Sequence, residues 1–339
     1  MAQRRIVAAL DIGSGRTKMD VVVLKGGAVV ETLFSEHREV FFAHDYAMNG
    51  HKNLSDKITT HGMTVLKDFK KTATELGAQR ISGAATQVFR KAENGPAFLD
   101  RVKRELGMDV RVISQAVEGK VGFLSAKSAM PASTPLDHVI AYDSGAASFQ
   151  ITVAKPDATG PIPNVEVFEG QWGTIPALEA LMCSVRGQER LTADTSDPHP
   201  VTRDEMTRVV DHISASLPPP SPLLAGRFDA ARQQTPGATI MSFGEESSIF
   251  AIAAKTLEQN AFSQADMDRA LDLVANLPTS TFQERGYAEP QLVVPKLCLL
   301  RAVMKHFDMP KVVYSYINGS CPGIAVFDDA QGSSEGDSS

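Results

Sequence analysis

Two segments of the chain follow one pattern, and together they restrict the fold more than any other feature. Residues Leu10–Val23 read LDIGSGRTKMDVVV and residues Tyr142–Val153 read YDSGAASFQITV. In each, an apolar run ends on an aspartate, a turn of small residues follows, and a second apolar run begins after a polar position. Short apolar runs broken by glycine and small polar residues read as buried strands joined by a turn. Around these segments, strands such as Arg80–Ala85, Val110–Ile113 and Val312–Tyr316 alternate with helical patterns such as Leu54–Leu76, Pro96–Leu106 and Pro295–Phe307. Such alternation predicts an α/β architecture. A repeat of this kind predicts two similar lobes facing one cleft. The stretch Met130–Asp137, rich in proline and small polar residues, marks the boundary. We therefore expect an N-terminal lobe over residues 1–133 and a C-terminal lobe over 134–330. The low-complexity stretch 331–339 reads as a disordered tail.

A chain of 339 residues is long enough for two cores. Its formal net charge of -6 argues against a general nucleic-acid-binding surface. No apolar run is long enough to predict a membrane span. Cys183, Cys298 and Cys321 are scattered, fit neither a zinc site nor a disulfide framework, and point to a reduced, cytoplasmic setting.

A turn of glycine, serine and alanine lets backbone N–H groups approach a phosphate, and Ser14, Thr17 and Ser148 add hydroxyl donors. An aspartate beside such a turn would repel bare phosphate, but it is suited to holding Mg²⁺ or orienting a water. Two ordinary β-turns opening on aspartate would have the same sequence. Arg90 follows a strand and can reach a phosphate bidentately, or it can be a solvated cation on a helix. Glu118 can serve as a general base on water, or it can be a first-turn glutamate favoured by the helix dipole. Spacing alone favours the plainer alternative for Glu118. Trp172 and the segment Asn318–Phe327 read as structural, and His44, His51 and His61 lack metal-ligand spacing.

Four segments in order resemble the exopolyphosphatase/guanosine pentaphosphate phosphohydrolase (Ppx/GppA) family. They are DIGSGRTK (Asp11–Lys18), ATQVFRKAEN (Ala85–Asn94), VISQAVEGK (Val112–Lys120) and DSGAASFQ (Asp143–Gln150). EGQWGTIPAL (Glu169–Leu178) is a fainter match to a glycine-centred strand-to-helix turn. The resemblance implies the actin-like fold of the acetate kinase, heat-shock protein and actin superfamily, with a duplicated ribonuclease-H-like core. It implies Mg²⁺-dependent hydrolysis of terminal phosphoanhydride bonds of polyphosphate or guanosine pentaphosphate, in a short two-domain member, with a homodimer expected by analogy. Carried over, Glu118 would activate water. Asp143 and Asp11 would be metal-linked. Gly13, Ser14, Thr17, Arg90, Gly145 and Ser148 would contact phosphate.

The chain departs from the family pattern at named positions. Gly15-Arg16 replaces Asn-Ser in the first turn, bringing charge and bulk. Val117-Glu118 keeps one of two glutamates. Ala146 and Ala147 replace glycines, and each adds a Cβ that resists positive φ. Gln150 replaces a glutamate. In SFGEES (Ser242–Ser247), Glu245 and Glu246 would repel a polyanion if they faced it. These changes raise a second reading, a catalytically weak polyphosphate or nucleotide sensor on the same fold. A sugar or acetate kinase ranks third, because the second lobe has no convincing adenosine-binding glycine turn.

Overall fold

The computed structural model describes residues 4–160, 162–192, 196–233 and 238–336, with side chains described through 331. The chain divides into two compact units. The first comprises residues 1–132, 154–167 and 317–339, and the second 133–153 and 168–316.

The first unit is built on five strands: β1 (Arg4–Ile12), β2 (Arg16–Lys25), β3 (Ala28–Glu39), β4 (Arg80–Ala85) and β5 (Asp109–Val112), in the order β3-β2-β1-β4-β5. β1, β2 and β3 form antiparallel pairs, while β4 and β5 run parallel to β1. The second unit repeats this plan. β6 (Val139–Ser144) pairs antiparallel with β7 (Phe149–Ala154) and parallel with β9 (Thr239–Gly244). β8 (Val165–Gly170) lies beyond β7, and β11 (Lys311–Tyr316) lies beyond β9. A three-residue strand, β10 (Ala261–Ser263), is added at that edge. Both sheets therefore follow the ribonuclease-H-like order, and the fold is the expected actin-like α/β type with that core duplicated.

The first break between the units lies next to the expected boundary at 133/134, but the end of the chain departs from expectation. Helix Cys321–Gly336 runs through residues 331–336, which the sequence reads as tail, and it belongs to the first unit rather than the second. Residues 337–339 lie outside the described set. Cys321, Ile324 and Ala325 pack against Ala9, Val22, Leu24 and Ala84 on one face of the first sheet and against Val121 of helix Gln115–Ser128. Leu10, Met19, Leu66, Phe69 and Val102 fill the other face. Polar contacts fix the closing helix as well. The Ser82 hydroxyl and the Arg111 guanidinium donate to the Asp328 carboxylate at 2.6 and 2.7 Å, and Arg5 pairs with Asp329.

β3 forms one edge of the first sheet. Its partners on β2 skip Leu33 and Val30, so both are bulged, and both are among the exposed large apolar residues. Bulges interrupt the ladder a second strand would need and so guard the edge.

In the second unit, helix Arg203–Ser216 starts with a capping box. Glu205 N–H donates to Thr202 Oγ1 at 3.2 Å, and Thr202 N–H donates to Glu205 Oε2 at 2.7 Å. Arg186 adds a 2.8 Å bond to the same carboxylate. Burial alone would raise the Glu205 carboxyl, but these hydrogen bonds outweigh it and pull it down to about 2 from 4.5. A folded value below the unfolded one gives stability that is complete above about pH 4.5 and lost as pH falls towards 2. Glu205→Gln should therefore cost on the order of 2 kcal/mol at neutral pH. In chemical denaturation, the gap from wild type should close as pH is lowered from 6 to about 3.

Candidate functional site

The first turn is tight because β1 and β2 pair up to Ile12 and Thr17. Gly13 N–H donates to Arg16 O at 2.9 Å, and a side chain at Gly13 would place its Cβ 2.8 Å from that oxygen, so only glycine fits. The same register sets Asp11 across from Lys18, whose Nζ donates to Asp11 Oδ2 at 3.3 Å. Ser14 is buried, and its Oγ accepts Val88 N–H at 3.2 Å, which ties the turn to helix Gln87–Lys91. Thr17 is buried, and its Oγ1 has no hydrogen-bond partner among the described residues. Arg16, which brings charge and bulk to this turn, is buried. Its guanidinium is 6% exposed and donates to Glu39 of β3 at 2.9 Å.

The carboxyl ends of the parallel strands β1, β4 and β5 lie side by side. Thr86 N–H reaches Ile12 O, and Ile113 N–H reaches Ala85 O. Strand ends of this kind are where α/β sheets present ligand-binding groups. Helix Gln87–Lys91 leaves β4 there and carries Arg90. Helix Gln115–Ser128, capped by Ser114 accepting Val117 N–H, leaves β5 and carries Glu118 in its first turn. Arg90 and Glu118, far apart in sequence, meet: Arg90 Nη1 donates to Glu118 Oε2 at 2.9 Å and to Ile113 O at 2.6 Å. Arg90 Nη2 is buried and has no partner among the described residues. A buried guanidinium nitrogen left unpaired is costly, and an anionic ligand would satisfy it.

In the second unit the hairpin has the same register, with Asp143 across from Gln150. Gly145 N–H donates to Ser148 O at 2.8 Å. Ser148 is buried, and Gln150 Nε2 lies 3.4 Å from its Oγ. The objection that Ala146 and Ala147 resist positive φ does not apply. Among the described residues, the positive-φ positions include none of Gly13, Gly15, Gly145, Ala146 or Ala147. A different constraint governs this turn. Thr174 and Ile175 N–H donate to Gly145 and Ala146 carbonyls, and a Cβ on Gly173 would lie 2.4 Å from Ala147 N. The EGQWGTIPAL segment thus clamps the turn, and it spends the amides of its own helix start in doing so. Glu245 is buried within its own turn, accepting the Ser247 N–H at 2.6 Å and the Ser247 hydroxyl at 2.7 Å.

Asp11, Gly13, Ser14, Thr17, Arg90 and Glu118 belong to the first unit, and Asp143, Gly145 and Ser148 to the second. Neither Asp11 nor Asp143 falls in a group of three described His, Cys, Asp or Glu side chains with ligating atoms within 4.8 Å. Each is a single carboxylate beside a small-residue turn, a donor that suits Mg²⁺, which is held by one or two carboxylates and completes its shell with water and substrate phosphates. Lys18 and the Ser320 N–H already occupy Asp11 Oδ2. Lys18, Ser144 and the Asn318–Ser320 turn are neighbours that sequence reasoning missed. The hairpin register could have revealed Lys18. Ser144 Oγ is buried without a partner among the described residues.

Residues 21–159 match the model of the Ppx/GppA phosphatase family. Solved structures share the fold along nearly the whole chain. The Aquifex aeolicus Ppx/GppA enzyme aligns with a TM-score of 0.67 at 20% identity, covering 96% of this chain and 100% of that one. An exopolyphosphatase from Cytophaga hutchinsonii aligns with a TM-score of 0.69 at 16% identity, covering 97% and 98%. The expected resemblance stands. Among the described residues, no helix is long and apolar enough to cross a membrane.

Proposed function

From a chain that carries the Ppx/GppA phosphatase pattern over residues 21–159 and the fold of that family's solved members, we propose a hydrolase of phosphoanhydride bonds. Its substrates are terminal phosphates of polyphosphate or guanosine pentaphosphate. The observation that carries this reading is the Arg90–Glu118 pair at the ends of β1, β4 and β5, with a buried guanidinium nitrogen still unsatisfied. Glu118 takes a proton from the attacking water, and Arg90 orients Glu118 while its Nη2 donates to a phosphate oxygen. In the first unit the Gly13–Thr17 turn holds further phosphate oxygens, and in the second unit the Gly145–Ser148 turn is the phosphate-binding candidate. Asp143 in the second unit and Asp11 in the first are the carboxylates that would hold Mg²⁺, which would supply charge neutralisation at the phosphates. The three cysteines are unpaired, in keeping with a reducing, cytoplasmic setting.

The test is phosphate release from polyphosphates of graded length and from guanosine pentaphosphate, with and without chelator. Release that requires Mg²⁺ supports the proposal. Background release from every substrate overturns it. The sensor reading is favoured by the second turn, whose clamping helix has already spent its N–H groups at Thr174 and Ile175. Background release with a retained ligand-induced thermal shift would select it.

A further inference from the structure

Asn318, Gly319 and Ser320 precede the closing helix, and they meet the first turn at Asp11. Ser320 N–H donates to Asp11 Oδ2 at 3.1 Å, the same oxygen that Lys18 Nζ engages at 3.3 Å. Gly319 has φ 59, the left-handed region that glycine adopts without strain. A Cβ there would lie 2.4 Å from Asp11 Oδ2 and 2.8 Å from Lys18 Nζ, so the backbone rests directly on the ion pair. Asn318 anchors the turn from below. Its Nδ2 donates to Asp20 Oδ1 at 2.9 Å, Glu36 O at 3.0 Å and Met19 O at 3.3 Å. Asp20 also accepts the Ser35 hydroxyl at 2.8 Å. Behind the turn, Asp328 and Asp329 lock the helix to Ser82, Arg111 and Arg5.

We propose that Gly319 and Ser320 are positioning residues for Asp11, holding its carboxylate in the one orientation that serves the phosphate site. This rests on the reading above, in which Asp11 assists in holding Mg²⁺ for the phosphate. Both fixed contacts go to Oδ2, so the carboxylate cannot swing, and Oδ1 is the oxygen left to serve the ligand. A purely structural turn has no need to bring a left-handed glycine against a carboxylate. An arrangement of donors aimed at one oxygen is what preorganisation requires. The closing segment of the chain is then part of the site's construction, although it contributes no side chain to the reaction.

A double-mutant cycle tests it, using Gly319→Ala and Asp11→Asn in the full chain. The readouts are phosphate release and calorimetric binding of magnesium pyrophosphate. Gly319→Ala in the wild-type background should lower kcat by about 10²-fold, the cost of a displacement near 1 Å, with a smaller change in KM. In the Asp11→Asn background the same substitution should cost less than about twofold, because its target has already been altered. Equal factors for Gly319→Ala in both backgrounds would overturn the proposal and assign the turn a stability role. A wild type that binds magnesium pyrophosphate but releases no phosphate overturns the hydrolase reading alone, and the binding cycle then decides this one. A wild type that does neither overturns both.

Discussion

Glu118→Gln is expected to lower phosphate release by about 10²- to 10⁴-fold, with little change in thermal stability. Glutamine keeps the shape of the side chain and can still meet Arg90, but its amide cannot take a proton from water. The size of the effect follows from the role, because a positioned general base contributes about that factor. Its site explains the small structural cost. Glu118 stands in the first turn of helix Gln115–Ser128, and the cap there is supplied by Ser114, not by Glu118. Single-turnover release, measured beside a thermal melt, separates the outcomes. A melting temperature near wild type with release within threefold of wild type would remove Glu118 from the chemistry. Glu118→Ala adds information, since it leaves Arg90 with no carboxylate at that position and should disturb substrate affinity as well as rate.

Gly323→Ala should produce the largest loss of stability. A Cβ at Gly323 would stand 1.9 Å from Val121 O and 2.8 Å from Ser125 Oγ, while Gly323 N–H already donates to Ser125 Oγ at 3.0 Å. The obstacle is helix backbone, which cannot rotate aside like a side chain, so the closing helix must lift off helix Gln115–Ser128. Overpacking of this kind costs about 2–3 kcal/mol, or roughly 5–10 °C in melting temperature. Gly226→Ala is the matched control. Gly226 lies in helix Pro222–Arg232, and a Cβ added there would meet nothing within 4 Å, so alanine should be neutral or mildly stabilising. Calorimetry on the two variants checks the contrast. Equal melts would mean that the helix contact is looser than its geometry indicates.

The hairpins were legible because glycine, aspartate and apolar runs punctuate them locally. Their shared register even implies which residues face across the strands. Helix Pro222–Arg232 also carries a readable start, with Ser221 as its cap and Pro222 in the first position. The pairing of Arg90 with Glu118 was not legible without the fold. It arises only because β4 and β5 end side by side, a fact of sheet order rather than of spacing. The fate of Arg16 is similar, since its partner Glu39 is set by the β2–β3 register. The closing helix was missed for another reason. CPGIAVFDDAQGSSEG begins with proline and glycine and ends in small polar residues, so local propensity reads turn and tail. Its helix is stabilised by a sheet face formed from residues more than two hundred positions earlier, and tertiary burial overrides propensity.

That closing helix also sets a timetable for biosynthesis. Every strand of the first sheet has been synthesised by residue 112, yet the helix that covers one of its faces is made only after the whole second unit. At about 5–20 residues per second, the delay is roughly 10–40 s. During that interval Ala9, Val22, Leu24 and Ala84 have no cover from Cys321, Ile324 and Ala325. The nascent first unit therefore leaves that apolar face uncovered until helix Cys321–Gly336 is made. A stalled or truncated chain would expose a sticky sheet face that quality control can recognise.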